Sequence, residues 1–143
     1  MDLDAELKEG VLFSATTAKS IPGFIKSLKE NAPEFNFGIR HIFDMREDYK
    51  NRGIEVDEGF QAYQVVACNF AGSYKSMQKN INRAAVLLEP KQIIVYTNKG
   101  KTSIDYLPFT REFIKQALPE DEKFAQGLEE ACQKIIRLIR ASL

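Results

Sequence analysis

The first part of the chain alternates apolar runs with polar turns. Residues 11–17, VLFSATT, are apolar and β-branched enough to predict a first strand. Ser20 then suits the N-cap of a helix, and Pro22 suits its first turn. The spacing i, i+3, i+4, i+7 predicts a buried helix face made of Ile21, Phe24, Ile25 and Leu28. This helix is expected to close at Pro33.

A two-residue period follows. FNFGIRHIF, residues 35–43, predicts a second strand, and regular alternation would place on one face Phe37, Ile39, His41 and Phe43. MREDYKNRG predicts a short polar helix that ends at Gly53, a residue able to adopt the left-handed conformation. FQAYQVVAC, residues 60–68, predicts the third strand.

The period changes to that of a helix after Asn69, which can cap it. The expected apolar stripe consists of Phe70, Tyr74, Met77, Ile81, Ala85 and Leu88, with a break near residues 80–82. KQIIVYTNKGKTSIDYL then predicts a hairpin about an Asn-Lys-Gly turn, because Asn and Gly tolerate positive φ.

The C-terminal segment has the clearest helical pattern. Its continuous apolar stripe is Phe124, Leu128, Ala131, Cys132, Ile135, Leu138 and Ile139. The segment opens with acidic residues and closes with basic ones, which suits the helix dipole. A shorter helix bounded by Pro108 and Pro119 is expected before it.

Together these elements predict an α/β (α+β) fold, a two-layer sandwich of about five strands with helices packed on one face. Residues 1–143 contain no repeat and no linker, so we expect a single domain with a loose N-terminal tip. The strand order stays open, because hairpin and crossover connections both fit the middle of the chain.

Composition argues against several functions. The 20 basic residues balance the 20 acidic ones, which removes the overall electrostatic argument for nucleic acid or an anionic membrane. The start, MDLDAELKEG, lacks the features of a secretory signal, and no apolar run approaches the roughly 18 residues of a membrane span. We therefore expect a cytoplasmic protein.

Two cysteines and one histidine are too few and too far apart for a disulfide framework or a zinc site, so we expect no metal and no cofactor.

Cys68 and His41 are the reactive residue types to consider. Cys68 lies just before a predicted helix N-terminus, whose dipole would supply the positive environment that a thiolate nucleophile needs, but free cysteines are also commonly buried. We favour a structural role. His41 shares its predicted strand face with apolar residues, so we favour a hydrogen-bonded core or rim histidine over a catalyst.

A cationic ridge is predicted on the middle helix, since Lys75, Lys79 and Arg83 are four residues apart. The ridge could hold a phosphate or a carboxylate, or it could face water, and we favour water. NKGKTS resembles the end of a phosphate-binding loop, but the first glycine is replaced by Val95 and no helix follows.

As a set, these landmarks resemble the bacterial and archaeal domain of unknown function 302 family. The resemblance rests on Gly53 after a polar helix, a strand that ends VVACN, and the stretch LLEPKQIIVYTNKGKTSI, over roughly residues 11–136. It implies a compact α/β domain that forms homodimers and has no established activity. Phe70 stands where the family often has proline, and Lys91 where it often has a second cysteine, which weakens any paired site for Cys68.

The functional hypothesis is a homodimeric module without catalysis that binds a small-molecule or anionic ligand, or a protein partner. The alternative is a thiol-dependent redox protein that uses Cys68, assisted by His41. No residue is assigned a catalytic role. The candidate ligand-binding residues are Cys68, Asn69, His41, Lys75, Lys79 and Arg83.

Overall fold

The structure is a computed structural model, and it describes residues 12–89 and 91–143. The expected loose N-terminal tip lies outside the described residues. The strands are β1 Phe13–Thr17, β2 Gly38–Asp44, β3 Ala62–Cys68, β4 Lys91–Asn98 and β5 Lys101–Tyr106. The α-helices are α1 Ile21–Asn31, α2 Met45–Asn51, α3 Phe70–Lys79, α4 Ala84–Leu87, α5 Arg111–Ala117 and α6 Glu122–Ser142, with 3-10 turns at Ala32–Phe35 and Ile81–Arg83.

The five strands form one antiparallel sheet in the order β1-β5-β4-β3-β2. β1 and β2 are consecutive in the chain but lie at opposite edges, so the connection through α1 crosses the whole sheet. α1 and α6 pack against each other over one sheet face. The predicted α+β sandwich is therefore confirmed, and the strand order left open by the sequence is now defined.

The main core lies between that sheet face and the helices α1 and α6. Its largest fully buried side chains include Phe24 and Leu28 of α1, Ile93 of β4, and Ile104 of β5. The helix spacing that predicted α1 is confirmed, since all four residues of its apolar stripe are buried and Ser20 caps it through the Gly23 N–H at 3.1 Å. Cys132 is also buried, as its place in the α6 stripe predicted.

A β-bulge in β2 contradicts the predicted alternation. Ile39 pairs with Ala67 and His41 pairs with Val66, which leaves Arg40 as an extra residue in β2. Ile39 therefore packs on the core, whereas His41 and Phe43 lie on the opposite face. The prediction that these three residues share one face was wrong, because one inserted residue reverses the side-chain direction of the rest of the strand.

The predicted break in the middle helix is confirmed, since α3 ends at Lys79 before the 3-10 turn. The apolar positions of the predicted middle helix do not form a buried stripe. Four residues of that stripe are substantially exposed, namely Phe70 (56%), Tyr74 (63%), Ile81 (70%) and Leu88 (49%). No residue of α3 is buried, so this helix lies on the surface of the domain, and few of its side chains anchor it to the core.

The β4–β5 hairpin is confirmed, with Asn98 paired to Lys101. The two residues between them, Lys99 (φ 53°) and Gly100 (φ 78°), both have positive φ, which is typical of a type I′ turn. Across residues 12–89 and 91–143, no helix is long and apolar enough to cross a membrane.

Candidate functional site

A pocket of about 360 Å³ lies between α3, the 3-10 turn after it, and α6. Its polar or small lining residues are Asn69, Gly72, Ser73, Ser76, Lys79, Arg83, Lys123 and Gly127. Its apolar lining residues are Phe37, Leu87, Phe124, Leu128 and Ala131. Leu87, Phe124 and Leu128 belong to a second, smaller core cluster, so the floor of the pocket is the surface of a packed apolar core.

Asparagine side chains define both ends of α3. The Asn69 Oδ1 accepts from the Gly72 N–H at 3.0 Å, which confirms the predicted cap and starts α3 directly after β3. At the other end, Asn80 has an extended backbone (φ −157°), and its Oδ1 accepts from the Asn82 N–H at 3.0 Å. The chain therefore leaves the α3 axis at Asn80, and the turn after it brings Arg83 back over α6.

Arg83 joins the three parts of the chain that form the pocket. Its Nε and Nη2 donate to the two carboxylate oxygens of Asp121 at 2.6 and 2.8 Å. Its Nη1 donates to the Ser76 hydroxyl at 3.0 Å, and its guanidinium lies 5.0 Å from the centre of the Phe124 ring. Arg83 thus links α3 and the 3-10 turn to the start of α6, and much of its hydrogen-bonding capacity is used within the protein.

Asp121 precedes α6 and receives a second donor, the Asn80 amide at 3.0 Å. Its carboxylate forms no side-chain cap of α6. The hydrogen bond from Arg83 is the main cause that lowers the pKa of Asp121, with Asn80 and the nearby Phe124 N–H also contributing, and the same bond raises the pKa of Arg83. The side chains are only 12% and 13% exposed, so the ion pair is shielded from solvent.

The candidate residues from the sequence separate into two groups. Asn69, Lys79 and Arg83 line the pocket. Lys75 does not line the pocket, and its side chain is exposed on α3. The predicted cationic ridge is therefore divided: Lys79 and Arg83 face the pocket, and Lys75 faces solvent.

Cys68 and His41 lie outside the pocket lining. The Cys68 Sγ is 3.9 Å from the Ser73 hydroxyl, and Ser73 does line the pocket. The His41 ring contacts Phe43 on the outer sheet face, with 4.1 Å between ring centres. Within the described part of the chain, no hydrogen bond or ion pair joins His41 to Cys68, and no cluster of three His, Cys, Asp or Glu residues could hold a metal.

Several lining residues were not identified from the sequence. Phe124 and Leu128 appeared there only as core positions of α6, and they are both core and pocket floor. Lys123 and Gly127 lie on the pocket side of α6, but nothing in the sequence shows that α3 lies opposite them. The contact depends on the direction in which the chain turns at Asn80, which is a tertiary property.

Comparison with known proteins places the chain in a family. No curated protein matches it. One similar solved structure is that of an uncharacterized conserved protein DUF302 from Bacillus stearothermophilus, with 17% sequence identity and a TM-score of 0.67 over 93% of this chain and 95% of that chain. At this identity the likeness shows the fold alone. The family model described as "Domain of unknown function DUF302" matches residues 13–142. The chain therefore belongs to the DUF302 family, as the resemblance of its sequence motifs indicated.

Proposed function

We propose that this protein binds a small, largely apolar molecule in the pocket between α3 and α6, without catalysing a reaction on it. The observation that carries the proposal is the pocket itself, about 360 Å³, with an apolar floor and polar groups around it. This volume is at the lower end of the range typical of small-molecule sites, and the mixture of lining residues is also typical of them.

The position of α3 supports entry of a ligand. None of its residues is buried, whereas the opposite wall, α6, has nine buried residues. Elements with few buried side chains open at a lower free-energy cost than the core does. We therefore expect the part of α3 before Ser76, away from the Arg83–Asp121 link, to open more readily than α6, which would give a small molecule access to the floor of the pocket.

The chemistry of the lining supports binding rather than catalysis. The lining contains two serine hydroxyls, and both are engaged within the protein: Ser73 donates to the Phe70 carbonyl and Ser76 accepts from Arg83, with no His, Asp or Glu among the described lining residues to activate them. The Cys68 thiol has a serine hydroxyl beside it rather than a base. We therefore favour ligand binding over the redox alternative.

A fluorescence titration tests this function. N-phenyl-1-naphthylamine, a neutral apolar probe, should bind the wild type with enhanced emission. Gly127→Phe places a ring in the pocket, and a Cβ at this position meets no atom within 4 Å, so the substitution can fill space without a backbone clash. We expect at least a tenfold loss of probe affinity in Gly127→Phe and near wild-type affinity in the matched Gly127→Ala. Equal binding by all three proteins would overturn the proposal.

We also propose that the protein is a homodimer, which the family resemblance implies. The sheet face that points away from α1 and α6 supports this: it carries Phe43, which is 41% exposed, in one cross-strand row with Gln64 and Ile94. Sedimentation equilibrium at micromolar concentration should give the mass of a dimer, and Phe43→Glu should shift it towards the monomer. A wild-type chain that is strictly monomeric would refute this assembly.

A further inference from the structure

The charges around the pocket do not balance. Among the described lining residues, three are cationic, Lys79, Arg83 and Lys123, and none is acidic. The charge of Arg83 is already neutralised by Asp121. Among the described residues, no carboxylate forms an ion pair with Lys79 or Lys123. The pocket therefore has two ammonium groups whose charge is not compensated within the described structure.

These two lysines lie at the same end of the pocket. Lys79 is the last residue of α3 and directly precedes Asn80, while Lys123 follows Asp121 by two residues. The hydrogen bond of 3.0 Å between the Asn80 amide and the Asp121 carboxylate fixes these two chain segments together. Asn69 is at the opposite end of α3, about 15 Å away along a ten-residue helix. The positive charge is thus concentrated at one end of an elongated pocket.

The two serine hydroxyls of the lining already take part in hydrogen bonds within the protein. The Ser73 hydroxyl donates to the Phe70 carbonyl at 3.2 Å, and the Ser76 hydroxyl accepts from Arg83. The floor beyond them is apolar, with Phe124 5% and Leu128 4% exposed. The apolar floor can hold the apolar body of a ligand, while Lys79 and Lys123 are exposed at the pocket, so their attraction for an anion is open to screening by salt.

We propose that the natural ligand is an amphipathic acid, an apolar body that ends in one carboxylate or phosphate group. The acidic group lies between the ammonium groups of Lys79 and Lys123, and the apolar body lies over Phe124 and Leu128 towards Asn69. This inference rests on the proposed binding function and adds the chemical class of its ligand. It also separates Lys79 from Lys75, which is on the same helix but does not line the pocket.

The test compares four ligands with the same eight-carbon chain by calorimetry: octanoate, octyl phosphate, 1-octanol and octylamine, with 1-octanol below its solubility limit and the others below their critical micelle concentrations. We expect octanoate or octyl phosphate to bind at least tenfold more tightly than octanol, and octylamine to bind more weakly than octanol. The tighter of the two acids identifies the head group. The advantage of the acid over the alcohol should decrease with added salt, because salt screens exposed charges.

Variants identify the lysines responsible. The double substitution Lys79→Met and Lys123→Met keeps most of the side-chain length and removes both charges, so it should reduce the affinity ratio of acid to octanol to about one. Lys75→Met is the matched control and should bind all four ligands as the wild type does. The acid assignment is overturned if octanol binds as tightly as both acids, or if Lys75→Met loses the preference to the same extent as the double variant.

The two proposals can fail separately. In one outcome, octanol and the neutral fluorescent probe bind the wild type and lose their binding in Gly127→Phe, but neither acid binds more tightly than octanol. The pocket is then a ligand site, and only the proposed acidic head group is wrong. If none of the ligands binds, or if binding is the same in Gly127→Phe, the pocket is not the binding site and both proposals fall.

Discussion

The ion pair of Arg83 and Asp121 offers the sharpest stability prediction. Asp121→Asn retains the size of the side chain but removes its negative charge. In the native protein this carboxylate accepts from two nitrogens of Arg83 and from the Asn80 amide, at 2.6, 2.8 and 3.0 Å. After the substitution, an amide group would face a guanidinium that is only 12% exposed.

The expected cost follows from this geometry. Hydrogen bonds to charged groups contribute about 1.5–3 kcal/mol, and removal of one partner from a fully buried pair costs about 3–5 kcal/mol. Because the pair is largely but not completely buried, we expect Asp121→Asn to lower the free energy of unfolding by about 2–3 kcal/mol. Arg83→Met should be destabilising as well, and the double variant should cost clearly less than the sum of the two single ones.

The pH dependence has a defined sign. Arg83 lowers the pKa of Asp121 in the folded protein, so the native state binds this proton less readily than the unfolded chain does. The stabilisation is complete above the ordinary aspartate pKa of about 3.9, and it is lost as the pH falls through the lower folded value. The difference between the wild type and Asp121→Asn should be constant from neutral pH to about pH 5 and should shrink below about pH 4.

Urea unfolding followed by circular dichroism, at several pH values, measures this difference. A loss under about 0.5 kcal/mol near neutral pH would show that the pair behaves as an ordinary surface salt bridge. A loss that stays constant well below pH 4 would show that the charge of Asp121 is not the source of the stabilisation. Either result would refute the description of Arg83 as the link between α3 and α6.

Three further substitutions test the local structure. Asn69→Ala should lower the free energy of unfolding in urea by roughly 1 kcal/mol, because it removes the side-chain cap of α3, whereas Asn69→Asp should lower it much less. Equal decreases in the two variants would contradict the capping role of Asn69. Gly127→Ala should raise the melting temperature by about 3 °C, because alanine is about 1 kcal/mol more favourable than glycine inside a helix and the unfolding entropy of a chain of this length is near 0.3 kcal/mol/K. A lower melting temperature would mean that the added methyl group clashes, contrary to the open space around Gly127. Lys99→Asn should stabilise the protein by about 0.5 kcal/mol, because asparagine adopts positive φ more readily than lysine. Differential scanning calorimetry should therefore show a higher melting temperature, and a lower one would contradict this reasoning.

The sequence predicted those elements whose formation depends on local interactions. The periodic stripes of α1 and α6, the caps at Ser20 and Asn69, and the β4–β5 hairpin are all present. In each case the residues that determine the structure lie within a few positions of one another. Their side chains and turn preferences are therefore sufficient to predict the element.

The wrong predictions concern features that depend on contacts between distant parts of the chain. One extra residue at Arg40 moves His41 to the outer face of the sheet, and the sequence contains no signal for this bulge. Phe70 and Tyr74 have the spacing of a buried stripe, but α3 lies at the surface, so the same pattern faces solvent. Periodicity shows which residues share a face of a helix and does not show what that face contacts.

The candidate site shows the same division. Lys79, Arg83 and Asn69 were selected from the sequence, but their partners on α6, Lys123 and Gly127, were not. The pocket forms because the chain turns at Asn80 and Arg83 then reaches Asp121, 38 positions further along the chain. Contacts at such separations depend on the complete fold.

An amide NMR titration of the full chain with octanoate tests the central claim most directly. If the pocket between α3 and α6 is the ligand site, the largest chemical-shift changes should occur at the amides of Ser73, Ser76 and Gly127, and they should saturate together. If the largest changes instead occur in β2 and β3 on the outer sheet face, or if no amide shifts at saturating octanoate, the assignment of this pocket as the site of an amphipathic acid is contradicted.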